Sequence, residues 1–207
     1  MRVESGLERR MTDALAPAAK LSTRAWLEAA RATLIRDGIH AVKIDRLARE
    51  CGVTRGGFYW RFSSHAELLQ ALLDDWRETN TAPMLAALDG PGDPDARFAR
   101  LAGLWVDEHG FSSAYDAAVR EWARGDAAVR AVVHAVDDER IGALCRLFLD
   151  YGYGADEALV RARITYYHQV GYYALDAQRD DARRAELTPL YIRALTGPLG
   201  GVTQTAG

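Results

Sequence analysis

The chain has 207 residues, 49% of them hydrophobic, with 26 Lys and Arg against 29 Asp and Glu for a formal net charge of −3. The length allows one domain of ordinary size or a small domain joined to a larger one, and the slight acidic excess by itself argues against a nucleic-acid partner. No run reaches roughly 18 uninterrupted apolar residues, no apolar signal-peptide core opens the sequence, and Cys51 and Cys145 lack metal-ligand spacing, so the expectation is a cytoplasmic chain with reduced thiols, no membrane span, no metal and no cofactor. Residues 1–20 mix charges around Pro17 without periodicity and read as a flexible arm, in which Met11 is an alternative start and Arg9 and Arg10 suit a minor groove. Ser22 or Thr23 then caps a helix to Asp37, with Trp26, Ala30 and Leu34 on one face and Gly38 as its stop.

The segment from Lys43 to Phe62, KIDRLARECGVTRGGFYWRF, carries the most information. Ile44, Leu47, Ala48 and Cys51 recur at i, i+3, i+4 and i+7, which predicts a short helix over Ile44 to Glu50 with one apolar face. Gly52 supplies a left-handed stop, Val53 pins the turn to the core, and Thr54 caps a second short helix whose buried side is Phe58 and Phe62. What points outward is short, basic or aromatic, a set able to lie on a phosphate backbone and reach base edges. This is the pattern of a helix-turn-helix for the DNA major groove. Gly56 and Gly57 each cost on the order of 1 kcal/mol in a helix interior relative to alanine, which implies that close backbone approach is wanted there. The charge distribution agrees, with 12 Lys/Arg against 7 Asp/Glu through residue 65 and 14 against 22 beyond it. A positive module joined to a negative one fits a chain that touches phosphates at one end and something else at the other.

With Leu47-Ala48, Gly52-Val53-Thr54-Arg55-Gly56-Gly57-Phe58-Tyr59, Phe62, Ser64 and Leu68 in this register, the block resembles the DNA-binding domain of the TetR/AcrR family of transcriptional regulators. It departs from the family pattern at His65, often a lysine there, and at Gly57, often serine or threonine. The expected DNA-binding set is Lys43, Ile44, Thr54, Arg55, Gly56, Gly57, Tyr59, Trp60, Arg61 and His65. Lys43 and Thr54 are assigned to phosphate, Arg55 to a guanine edge, and Tyr59 with Trp60 to backbone and thymine methyl groups.

Ser64 opens a further helix expected to run through about Leu88, with Leu68, Leu69, Leu72, Leu73 and Trp76 as its apolar surface, and the GPGDP stretch at Gly90 to Pro94 is the clearest break. Helical patterns follow at 95–108, 112–124, 126–151, 155–178 and 181–196. No strand pattern appears, so the expected architecture is all-α, about nine helices in all. It comprises a DNA-binding domain over 21–80 with three helices at its head, a helical regulatory and dimerisation domain over 81–197, and a flexible tail over 198–207. The segment Ala118 to Arg140 is similar to one found in many regulators of the same family, with Trp122 and Asp126 in place.

Reading a palindromic operator requires two heads at fixed spacing, which a homodimer provides. Leu187, Leu190, Tyr191 and Ala194 form an apolar stripe, and Ala158, Ala162, Gly171 and Ala174 are small enough to let helices approach, so pairing of the last two helices with their mates is expected. The aromatic load of this half suggests a cavity for an apolar or aromatic small-molecule effector, lined by Trp105, His109, Tyr115, Val119, Trp122, Phe148, Tyr167, His168 and Tyr172; core packing accounts for these residues as well. An enzyme is not expected: the adjacent carboxylates Asp74-Asp75, Asp137-Asp138 and Asp180-Asp181 diverge on a helix, and no G-x-S-x-G, H-E-x-x-H, P-loop or dinucleotide fingerprint occurs. The functional expectation is a repressor released from its operator by a small molecule, with an activator of the same fold or a helical adaptor that binds no DNA as alternatives.

Overall fold

A computed structural model describes residues 21–107, 110–175 and 181–197, and among them the chain forms ten α-helices and no strand. The expected arm, the expected tail and His109 lie outside these residues. The chain divides into two compact units, one ending at Leu73 and the other beginning at Asp74.

The first unit is built from α1 (Thr23–Asp37), α2 (Ile44–Glu50), α3 (Arg55–Tyr59) and the first half of α4 (His65–Asn80). Ser22 caps α1 by accepting from the Ala25 amide at 3.1 Å, and the Gly38 amide closes its end on the Leu34 carbonyl at 3.0 Å. Trp26, Leu34, Leu47, Phe58, Phe62, Leu68 and Leu72 are buried, and the Phe58 ring sits edge-on to Trp26 at 5.4 Å and stacked on Phe62 at 5.3 Å. Each such side chain contributes roughly 1.5–3 kcal/mol by leaving water. At the edge of this core, Glu50 on α2 accepts from Thr33 and Arg36 of α1, and Arg46 pairs with both Glu50 and Asp37.

The second unit takes the rest of α4, then α5 (Ala82–Asp89), α6 (Pro94–Asp107), α7 (Ser113–Gly125), α8 (Ala127–Asp150), α9 (Ala155–Ala174) and α10 (Asp181–Thr196). The single helix expected from Ser64 to Leu88 is two helices, broken at Thr81. Pro83 explains the break, because it has no N–H to give the preceding turn and starts a new helix instead. Met84, Leu88, Phe98, Leu101, Trp105, Leu144, Leu147, Phe148, Ala158, Ala162 and Tyr166 form one core, with α8 packed along α9.

A charged cluster lies inside this unit. Arg140, 1% exposed, reaches Asp116 at 3.0 Å, the Thr81 hydroxyl at 2.9 Å and the Tyr166 hydroxyl at 3.2 Å. Arg120 binds Asp116 at 2.8 Å and Asp137 at 2.7 Å, and the Trp76 indole N–H donates to Asp116 at 3.2 Å. Burial works against an ionised Asp116, but the two guanidiniums beside it outweigh burial and hold the carboxyl below the usual range. Burial lifts the Tyr166 hydroxyl to about 12.

Candidate functional site

The corner between α2 and α3 is made by local backbone chemistry. The Val53 amide donates to the Ala48 carbonyl at 2.9 Å across Gly52, whose φ of 66° lies in the left-handed region that favours glycine. Thr54 takes the N-cap position of α3 in extended conformation, without a side-chain capping bond. Phe58 is the buried anchor of α3, so its rotation is fixed and the opposite face turns outward.

That outward face holds Thr54, Arg55, Gly56, Tyr59 and Trp60, all exposed, with Tyr59 50% and Trp60 77% exposed. A tryptophan this open, at the C-cap of a five-residue helix, offers a large flat surface to a partner. Arg55 is held above α2 and α3 by Asp45 at 3.4 Å and the Tyr59 hydroxyl at 3.3 Å, and that hydroxyl contact leads the causes that raise its pKa. Lys43 is exposed at the N-cap of α2, while Ile44 is half-buried beside it. Arg61 is exposed but gives its Nε to the Leu21 carbonyl at 3.0 Å. His65 is half-buried with Nε2 on the Val42 carbonyl at 2.7 Å, so only its other nitrogen is left for a partner. A Cβ built on Gly57 would meet nothing within 4 Å, and one on Gly56 only the Thr54 hydroxyl at 3.7 Å. Nothing inside the protein requires glycine at either position; the room is on the outside. Exposed Arg49 of α2, absent from the expected set, adds a further cation to this unit.

In the second unit the expected cavity residues separate. Trp105, His168 and Tyr172 line one cleft between α6, α9 and α10, together with Phe98, Gln169, Tyr191, Ile192 and Leu195. The His168 ring stacks on Tyr191 at 5.0 Å. Phe148 is core, Val119 and Trp122 are buried on α7, and Tyr115 is buried with its hydroxyl on Asp75 at 3.2 Å. Tyr167 points to solvent. A larger cleft between α7 and α9 opens over Asp116 and Arg120. The cleft residues that sequence reasoning missed lie on α6, α9 and α10, and no single-helix periodicity could have put them together.

The expected dimer residues also divide. Ala158 and Ala162 are fully buried within the protomer, where they let α9 approach α8. Gly171 and Leu187 are half-buried, and Ala174, Leu190, Tyr191 and Ala194 are exposed. The outer face of α9 instead carries Val160, Ile164 and Tyr167 at i, i+4 and i+7, each more than half exposed. Their spacing was legible, but α9 has apolar residues around most of its circumference, and the small-residue pattern drew attention to the inward face.

No described helix is long and apolar enough to cross a membrane. Residues 27–72 match the family model for bacterial regulatory proteins of the tetR family. The HTH-type transcriptional regulator TtgR of Pseudomonas putida is 44% identical over 59 residues, and the regulator SrpR of the same species is 40% identical over 47 residues. The matched stretch of TtgR is 28% of this chain and 28% of that protein, so the chain spans little more than a quarter of the length of the curated relatives it matches. Among solved structures, a TetR-family transcriptional regulator from Streptomyces coelicolor superposes with a TM-score of 0.70 at 25% identity, over 84% of this chain and 94% of the other. The fatty acid degradation regulator FadR of Bacillus halodurans shares the fold alone, with a TM-score of 0.63 at 16% identity over 88% of this chain and 97% of the other. Over residues 27–72, then, the chain carries a helix-turn-helix domain of the kind found in bacterial regulatory proteins of the tetR family.

Proposed function

We propose that the protein is a cytoplasmic, homodimeric transcriptional repressor that binds a palindromic operator in duplex DNA and is released by a small molecule. The observation that carries the reading is the outward face of α3. An exposed Tyr59-Trp60 pair, Arg55 and two glycines with empty space outside them answer the needs of a helix laid against a phosphate-lined groove. Lys43 and Thr54 contact phosphate, Arg55 reads a guanine edge, and Tyr59 and Trp60 meet backbone and thymine methyl groups.

Dimerisation follows from the uncovered apolar face of α9, Val160, Ile164 and Tyr167, with Leu190 and Tyr191 of α10. Two reading heads then address half-sites about 34–36 Å apart, one turn of B-form duplex. Effector release is supported by the cleft between α6, α9 and α10, which belongs to the regulatory unit and not to the DNA-binding one. The test is selection of bound duplexes from a random pool with purified protein. Inverted repeats whose retention falls steeply with salt are expected, and recovery of no preferred sequence overturns the reading.

A further inference from the structure

The cleft between α6, α9 and α10 is mostly apolar, with His168, Gln169, Tyr172, Thr188 and Tyr191 as the polar side chains of its lining. Phe98, Trp105, Ile192 and Leu195 form much of its wall, and Gln169 of α9 enters it from the inward side. Gln169 is 8% exposed, and its Nε2 has no hydrogen-bond partner. One turn earlier on the same face of α9, the Thr165 hydroxyl is fully buried and also unpartnered. A buried amide donor left unmade is costly, and natural proteins tolerate it chiefly where a ligand or an ordered water completes it.

We infer that Gln169 is the specificity-determining donor of an effector site in this cleft, and that the ligand is a slender, uncharged aromatic or short apolar molecule carrying a carbonyl oxygen. This deepens the repressor reading and rests on it for the word effector. The cleft is narrow, with a cavity volume of only about 50 Å³, so the ligand enters edge-on or end-first. No Lys, Arg, Asp or Glu lines it, so nothing there pairs with a charged ligand except His168, whose ring is stacked on Tyr191. The larger cleft over α7 offers less. The Arg120 and Asp116 groups beneath it are already bonded to each other, and Arg120 is bonded also to Asp137 and Tyr166.

The experiment compares acetophenone with α-methylstyrene, which has the same shape with CH₂ in place of the carbonyl oxygen. Binding to the full chain is followed by the side-chain amide resonances in ¹⁵N-labelled protein, with Gln169→Leu identifying the Gln169 pair. The ketone is expected to shift that amide pair, and Gln169→Leu is expected to lower the ratio of ketone to alkene affinity about tenfold. A ketone-to-alkene affinity ratio unchanged in Gln169→Leu, or no binding of either probe at millimolar concentration, overturns the inference. Should Gln169→Leu fail to fold, Gln169→Met carries the same comparison. Operator release is measured separately. Ketone binding without release counts against the repressor reading while leaving the site intact, whereas release by other compounds with both probes inert removes the site and leaves the reading.

Discussion

Alanine at Gly56 and Gly57 separates folding from recognition. Both residues are in the helical turn of α3, neither has a positive φ, and a methyl group at either site meets ordinary contact or open space. Each Gly→Ala change is therefore expected to stabilise the protein by about 0.4–1 kcal/mol through helix propensity and reduced freedom of the unfolded chain. For a chain of about 200 residues that raises Tm by roughly 1–4 °C. The same methyl stands where a phosphate or sugar approaches in the proposed complex. Loss of one close contact of that kind weakens binding by about 1–3 kcal/mol, on the order of 5- to 150-fold. Thermal melting and fluorescence anisotropy with a selected duplex measure the two effects on one sample. Stabilised variants that still bind DNA as tightly as the parent refute the placement of these glycines against nucleic acid, and destabilised variants refute the claim that the interior does not need them.

Lys43→Ala should leave sequence preference intact and reduce the slope of log affinity against log salt by about 1 per half-site, whereas Arg55→Ala should relax the preference at one base position; binding titrations at four salt concentrations separate the two. Arg140→Met leaves Asp116 and Thr81 buried without this guanidinium and is expected to cost about 3–5 kcal/mol, read as a lower urea midpoint at unchanged slope. Because the Asp116 carboxyl is held below its unfolded value, its contribution to stability is fully present above about pH 4 and is lost as pH falls through the folded value; Asp116→Asn should flatten that acid limb in urea melts at graded pH. Ile164→Asp with Leu190→Asp should convert a dimer into monomers by sedimentation, and an unchanged mass rules out this face as the interface.

The DNA-binding corner was legible because every signal in it is local. Gly52 at a left-handed stop, Phe58 and Phe62 four apart, and Ser22 three residues before the amide it caps are all decided within one or two turns of chain. Pro83 was equally local, but the helically spaced apolar residues from Leu68 to Trp76, resuming at Met84 to Leu88, masked it, and one long helix was expected where two form. The second unit was less legible because its clefts and charged cluster are assembled from distant helices. Tyr115, Trp122 and Phe148 looked like cavity residues by composition and are buried by packing, while Gln169 carried no signal until its neighbours from α6 and α10 were known. Asp116, Arg120, Asp137 and Arg140 read as ordinary helix charges, since the 24-residue spacing between Asp116 and Arg140 has no sequence signature.

Four of the five tryptophans, Trp26, Trp76, Trp105 and Trp122, are shielded, and Trp60 alone faces solvent. The molecule thereby carries an intrinsic optical label at the C-cap of α3, beside the face proposed to meet DNA. Iodide in the buffer darkens Trp60 and spares the other four, so docking onto DNA registers as protection from the quencher, while an occupant of the α6–α10 cleft registers as a spectral change at Trp105 that iodide does not touch. Events at the two ends of the chain can be followed separately in one cuvette, with no dye attached.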